Sequence, residues 1–229
     1  MARSQLEKTL FQEIKNYLGI PYAKNHWLNN RLVRAAIFGG KGNWQEIRYA
    51  TLCAAKRDQL TLKLLSPQDI FNFQKKNHIG IDCSGLAYHL LDFLDRLKGG
   101  QGILYKVIGG KPWPGQYGVR SVSADDLTKS PNSSPITNYS ELQPGDLIRH
   151  HRGQHVLLII GYRKNQISYV HSSQTTTTTG VHTGQITIHS QNQPLSFQPW
   201  SDTTPSGKAY QYLHYPQQGD GIFRLNCWR

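Results

Sequence analysis

The spacing of apolar residues changes near residue 143, and this change limits the possible folds more than any other feature of the sequence. Before it, apolar residues recur every three or four positions, as in helices that bury one face. After it, short apolar runs separated by polar links are typical of β-strands. Helices followed by strands predict an α+β fold in which N-terminal helices pack on a central antiparallel β-sheet. The 229 residues show no linker or repeat, so we expect one domain, 1–229.

One helix has especially clear boundaries. Asp82 is a natural N-cap, and the apolar residues that follow it keep a helical spacing until Gly99. Residues 101–141 are rich in Gly, Pro, Ser and Asn, and we predict that they form a long surface loop. The predicted helices cover 4–18, 28–38, 44–56, a segment that starts at Ser66-Pro67, and 83–97.

The C-terminal part is expected to form the sheet. A polar link at 163–166 separates two apolar runs and favours a hairpin between them. The predicted strands cover 145–148, 155–162, 167–171, 185–188 and 210–213.

Charge and hydropathy limit the partners of the chain. The formal net charge is +12, and the basic residues are spread over the whole sequence, which favours a negatively charged partner such as nucleic acid or an anionic cell wall. No helix-turn-helix spacing, zinc knuckle or aromatic RNA-binding signature is present, so nucleic acid is not the expected partner. No stretch approaches ~18 uninterrupted apolar residues, and no membrane span is predicted.

The N-terminal residues bear on where the protein acts. Residues 1–8 lead directly into an amphipathic pattern and lack the apolar core and small-residue cleavage site of a signal peptide. The compartment is therefore left open. The cytoplasm, export after removal of a leader and export by a non-Sec route all fit.

Of the three cysteines, Cys83 has the context of a nucleophile. Three cysteines are too few for a disulfide framework. Cys53 fits an apolar helix face, and Cys227 lies two residues from the C-terminus. Cys83 would occupy the first turn of a helix, where unpaired N–H groups and the helix dipole stabilise a thiolate and can hold an oxyanion. Gly85 is expected to keep this turn open to a substrate.

A cysteine nucleophile needs a base, and two histidines have suitable positions. His155 begins an apolar strand and His171 ends the next one, so a hairpin would bring the two side chains together. One imidazole would then take the proton of Cys83 while the other fixes the tautomer of the first.

Metal binding is the competing interpretation of the same region. The chain has 10 histidines, and several of them are close in sequence. No His-Glu-x-x-His or paired Cys-x-x-Cys spacing is present, so neither a metal nor another cofactor is expected. The histidines concerned are His150, His151, His155, His171, His182 and His189.

Four short segments follow one another along the chain: Ile20-Pro21-Tyr22, Asp82-Cys83-Ser84-Gly85-Leu86, Pro144-Gly145-Asp146-Leu147, and the strands that begin at His155 and end at His171. In this order they resemble segments of the NlpC-type peptidases, a papain-like family of cysteine hydrolases that act on bacterial peptidoglycan. Residues 81–86, Ile-Asp-Cys-Ser-Gly-Leu, resemble the Asp-Cys-Ser-Gly-Leu signature of that family. Residues 142–148 are similar to the Pro-Gly-Asp-Leu segment before its catalytic histidine, which His155 matches at the start of the following strand. Residues 169–172 are similar to the strand that carries its orienting residue, and Ile20-Pro21-Tyr22 resembles its upstream Pro-Tyr.

The resemblance implies a papain-like fold with Cys83 as the nucleophile, His155 as the base and His171 as the orienting residue. The implied reaction is hydrolysis of an amide bond in a peptidoglycan stem peptide through an acyl-enzyme. Two other functions stay open. The same fold could act as an amidase or acyltransferase on another small substrate, or the chain could be a non-enzymatic binding module for an anionic polymer.

The resemblance also implies that Tyr22, Asp82 and Ser84 hold the amino end of the substrate. Tyr22 lies 61 positions before Cys83, whereas the family has a short link there. We expect residues 27–78 to be a helical insertion that shapes the cleft and presents positive charge to an anionic substrate. The tail beyond residue 195 has no counterpart in the resemblance.

Overall fold

A six-stranded antiparallel sheet forms the centre of the computed structural model, which describes residues 3–103 and 118–228. The strands are β3 (Ser133–Ile136), β4 (Leu147–His150), β5 (His155–Arg163), β6 (Gln166–Ser173), β7 (Gly180–Thr187) and β8 (Gly221–Leu225). Their order across the sheet is β3-β8-β4-β5-β6-β7, and each neighbouring pair is antiparallel. The predicted α+β class is confirmed.

Four helices precede the sheet in the chain: α1 (Arg3–Lys15), α2 (Trp44–Arg57), α3 (Pro67–Lys76) and α4 (Cys83–Leu97). Side-chain caps define three of their starts. Asn43, Ser66 and Asp82 accept hydrogen bonds from the third backbone N–H of α2, α3 and α4. These N–H groups have no partner within a helix, so a cap stabilises one particular start. Among the helices of the described residues, none is long and apolar enough to cross a membrane.

Both faces of the sheet are buried, because alternate residues of β5 pack into two different layers. Val156 and Leu158 pack with Leu90 and Leu94 of α4 on one face. Leu157 and its neighbours pack on the other face against residues 188–213. The tail beyond residue 195, which the resemblance left unexplained, therefore completes the core.

The helix predicted over 28–38 is wrong. The chain instead forms a two-stranded hairpin, β1 (His26–Leu28) and β2 (Arg31–Arg34). Asn29 and Asn30 connect the strands with φ angles of +48° and +60°. Asparagine tolerates this left-handed region better than most residues, and two such residues in succession form the turn that suits a hairpin. The segment 27–78 is thus a hairpin followed by helices.

The surface loop predicted over 101–141 is wrong for residues 124–136, and residues 104–117 of it lie outside the described part. A short helix, α5 (Ala124–Thr128), is followed by β3 at the edge of the sheet. Ser123 and Asp126 cap α5 reciprocally. This spacing of a serine and an acidic residue is a helix-start signal that the composition of the segment obscured.

The strand predicted over 210–213 is also wrong. These residues form a 3₁₀ turn, Tyr210–Leu213, against the buried face of the sheet. Tyr210 and Leu213 are three positions apart and share one side of this turn, as the 3₁₀ geometry requires. Over four residues, this pattern and that of a strand cannot be told apart.

Candidate active site

Cys83 is the first residue of α4, and only 6% of it is exposed. It lies against the start of β5, where the backbone N–H of Val156 is placed to donate a hydrogen bond to the sulfur. Burial and then the charge of Asp82 raise the pKa of the thiol to about 11, although Lys41 acts in the opposite direction. At neutral pH the side chain is therefore a thiol.

His155 and His171 lie together, as the strand pattern predicted. Nε2 of His155 is 2.8 Å from Nδ1 of His171, and Nε2 of His171 is 3.1 Å from a carboxylate oxygen of Asp202. Because a carboxylate only accepts hydrogen bonds, His171 carries its proton on Nε2, and its Nδ1 accepts from His155. Nδ1 of His155 is then unprotonated and can take a proton.

The two imidazoles are neutral at neutral pH. Burial, and then the neighbouring histidines, keeps the pKa of His155 well below its ordinary value. Burial lowers the pKa of His171 to about 4, against the opposing effect of Asp202. Burial alone would raise the pKa of Asp202, but the hydrogen bond from His171, with His182 close by, lowers it well below its usual range. The Cys83 thiol and the two imidazoles are therefore all uncharged at neutral pH.

Two tyrosines lie near the thiol. Burial is the main cause of the raised pKa values of Tyr22 and Tyr210, and the nearby charge of a Cys83 thiolate contributes to both. The Tyr210 ring also packs edge-on near His155, with 6.4 Å between the ring centroids. The same phenol thus lies near both the thiol and the imidazole. Because the Val156 N–H is directed at the sulfur, Cys83 and His155 lie at the same end of β5.

Backbone hydrogen bonds hold Tyr22 close to the start of α4 despite the long separation in sequence. The N–H of Ile81 donates to the carbonyl of Pro21 at 3.0 Å, and the N–H of Ala23 donates to the carbonyl of Ile81 at 3.4 Å. Gly80 permits this approach, because a Cβ there would lie 2.2 Å from the Pro21 oxygen. The segment between Tyr22 and Cys83 therefore leaves the site and returns to it.

Lys41 is a member of the site that the sequence did not single out. Its Nζ lies 2.7 Å from Oδ1 of Asp82 and also contacts Oγ of Ser84. Asp82 and Ser84, which the resemblance assigns to the amino end of a substrate, therefore bind an ammonium group of the chain itself. In the sequence, Lys41 is one of many basic residues in the segment 27–78, and no local pattern distinguishes it.

Gly85 has a different role from the one expected. A Cβ at Gly85 would lie 2.8 Å from the carbonyl oxygen of Gly40 and 3.1 Å from Cδ of Lys41. The space in the first turn of α4 is thus occupied by residues 40–41 rather than left open to a substrate.

We expect Lys41→Met to destabilise the fold by about 3–5 kcal/mol, because it leaves the buried carboxylate of Asp82 without its cation. Urea unfolding measures this change in the free energy of unfolding. The double variant Lys41→Met/Asp82→Asn is the control, since asparagine still caps α4 but carries no charge, and it should recover most of the loss. A cost below about 1 kcal/mol for Lys41→Met would contradict the ion pair.

One group of side chains in residues 3–103 and 118–228 could hold a metal ion. The donor atoms of His171, His182 and Asp202 all lie within 4.8 Å of one another. The same nitrogen and oxygen atoms also form hydrogen bonds with one another and with the backbone, which explains their closeness without a metal ion. Nδ1 of His182 donates to the carbonyl of Gly180 at 3.0 Å, which leaves its Nε2 to accept, 2.9 Å from the protonated Nε2 of His171. Asp202, which takes part in both arrangements, lies in the tail and has no distinguishing sequence context.

No protein family, curated protein or solved structure matches this chain. The resemblance to the NlpC-type peptidases therefore depends on the sequence segments described above.

Proposed function

We propose that the chain is a cysteine hydrolase that cleaves amide bonds, with Cys83 as the nucleophile and His155 as the base. The observation that carries the proposal is the hydrogen-bond chain from His155 through His171 to Asp202, next to a cysteine that begins a buried helix. Buried polar groups are unfavourable unless they are paired, and chains of titratable groups with shifted pKa values are concentrated at functional sites.

The proposed reaction begins when the sulfur of Cys83 attacks the amide carbon while its proton passes to Nδ1 of His155. The tetrahedral intermediate then expels the amine, which leaves with that proton, and an acyl thioester remains on Cys83. Water attacks the thioester, again with His155 as the base, and releases the carboxylic acid. The backbone N–H groups of Cys83 and Ser84, in the first turn of α4, are candidates to hold the oxyanion.

The proposed substrate is a peptidoglycan stem peptide, and the proposed fold class is papain-like. The support is the resemblance of residues 20–22, 81–86, 142–148 and 155–172 to the NlpC-type peptidases, together with the net charge of +12. A peptide of the cell wall is anionic, so a positively charged enzyme would be attracted to it.

Incubation with purified peptidoglycan, followed by mass analysis of the released fragments, tests the proposal. Wild type should release peptides with new amino and carboxyl ends, and Cys83→Ala should release none. Products joined to an added amine would indicate an acyltransferase. Equal retention of both proteins on peptidoglycan without cleavage would indicate a binding module and contradict the proposed hydrolase.

Asp202 is proposed as a positioning residue that acts through His171. We expect Asp202→Asn to lower kcat about tenfold or more with little change in KM, because asparagine removes the charge that fixes the His171 tautomer. Thermal unfolding should stay close to that of the wild type. A chelator should leave wild-type activity unchanged. Loss of activity on chelation, restored by zinc, would instead assign His171, His182 and Asp202 to a metal site.

A further inference from the structure

A cavity of about 450 Å³ lies beside Tyr22, one of the two tyrosines near the thiol. Parts of the chain that are distant in sequence form its wall. Lys24 precedes β1, Arg34 ends β2 and Lys75 lies in the last turn of α3. Two histidines, His26 and His78, also line it. The antiparallel register of the β1–β2 hairpin places His26 opposite Arg34.

The cavity wall is cationic and contains no acidic residue. Lys24, Arg34 and Lys75 form no ion pair within the described parts of the chain. Like charges around one concavity repel one another, and a cleft lined by one sign of charge concentrates ions of the opposite sign. The wall is therefore suited to a negatively charged group.

The surroundings of the thiol add to this preference. The carboxylate of Asp82, beside Cys83, is bound by the ammonium group of Lys41 at 2.7 Å. It neither offsets the positive charge of the cavity nor offers a free site to a substrate amine.

We propose that this cavity binds an anionic group of the substrate, a carboxylate or a phosphate, close to the amide bond that is cleaved. The inference rests on the proposed function, because it assigns a substrate class to the same site. It places the determinant of specificity in the segment between Tyr22 and Cys83, with Lys24, Arg34 and Lys75 as the cationic contacts.

Titration of the Cys83→Ser protein with inorganic phosphate, and separately with succinate, at low ionic strength tests the proposal. NMR signals of the His26 and His78 rings report binding inside the cavity. We expect both sets of signals to shift and to saturate. Affinity should fall at least about threefold in Arg34→Gln/Lys75→Gln, because two of the three cations are removed. The tighter of the two anions identifies the group as phosphate or carboxylate.

The matched control is Arg31→Gln/Lys76→Gln, which removes two charges from the same strand and the same helix but from outside the cavity wall. It should bind both anions as the Cys83→Ser protein does. Shifts that do not saturate with either anion, or an equal loss of affinity in the two double variants, would overturn the proposal.

Neither titration requires turnover, so the two proposals fail separately. Saturable anion binding in a protein that releases no peptidoglycan fragments would leave the cavity assignment in place and contradict the hydrolase. Cleavage of peptidoglycan by a protein whose cavity binds no anion would support the hydrolase and contradict the cavity assignment. In an active enzyme, Arg34→Gln/Lys75→Gln should raise KM for an anionic substrate and leave kcat nearly unchanged, as expected for a binding contact.

Discussion

His155→Ala should lose nearly all amide hydrolysis, and His171→Ala should retain measurably more. The reason is the order of the two imidazoles. In the proposed reaction the free Nδ1 of His155 takes the thiol proton, whereas His171 acts on His155 through a 2.8 Å hydrogen bond. Loss of a general base typically lowers the rate by about 10²–10⁴-fold. A residue that only fixes its tautomer leaves the base in place when it is removed, so the loss should be smaller.

The measurement is kcat for release of peptidoglycan fragments, with circular dichroism to show that each variant is folded. His189→Ala is a matched control, because His189 is exposed and lies outside the hydrogen-bond chain. It should keep wild-type activity. Retention of most activity by His155→Ala, or a larger loss for His171→Ala than for His155→Ala, would contradict the assigned roles.

Cys83→Ala should abolish turnover, with a fall of about 10⁴-fold or more, because the acyl intermediate of the proposed reaction forms on the Cys83 sulfur. Wild type, quenched while it acts on a slow substrate, should carry the acyl group on the proteolytic fragment that contains Cys83. Mass spectrometry of that fragment locates the adduct directly.

Cys53→Ala is the matched control, since Cys53 is an exposed thiol on α2. Its turnover and its acyl adduct on Cys83 should equal those of the wild type. An adduct on Cys53, or undiminished hydrolysis by Cys83→Ala, would remove Cys83 as the nucleophile.

Local chemistry determined much of the candidate site. The start of α4 at Cys83 could be predicted because Asp82 caps the helix by accepting a hydrogen bond from Gly85, only three residues further along the chain. The meeting of His155 and His171 could be predicted because one hairpin joins their strands. Both contacts are made between residues or elements that are neighbours in the sequence. A periodic pattern or a turn signal in the sequence can therefore predict them.

Some local signals were present but were outweighed. Asn29-Asn30 is a hairpin turn, yet the apolar residues around it also match a helical spacing. Ser123 and Asp126 signal a helix inside a segment whose composition is that of a loop. A short element contains too few residues for the spacing of its apolar positions to distinguish a helix from a strand or a loop. In such a segment a single turn or cap motif decides the structure.

The sequence by itself determined the α+β class, the position of the candidate nucleophile and the pairing of the two histidines. Only the tertiary structure decided that Lys41 binds Asp82 and that Asp202 completes the hydrogen-bond chain. These contacts join residues that are distant along the chain. Their geometry follows from the packing of whole elements, such as the tail that covers the second face of the sheet. Packing between distant elements produces no periodic pattern in the sequence from which it could be predicted.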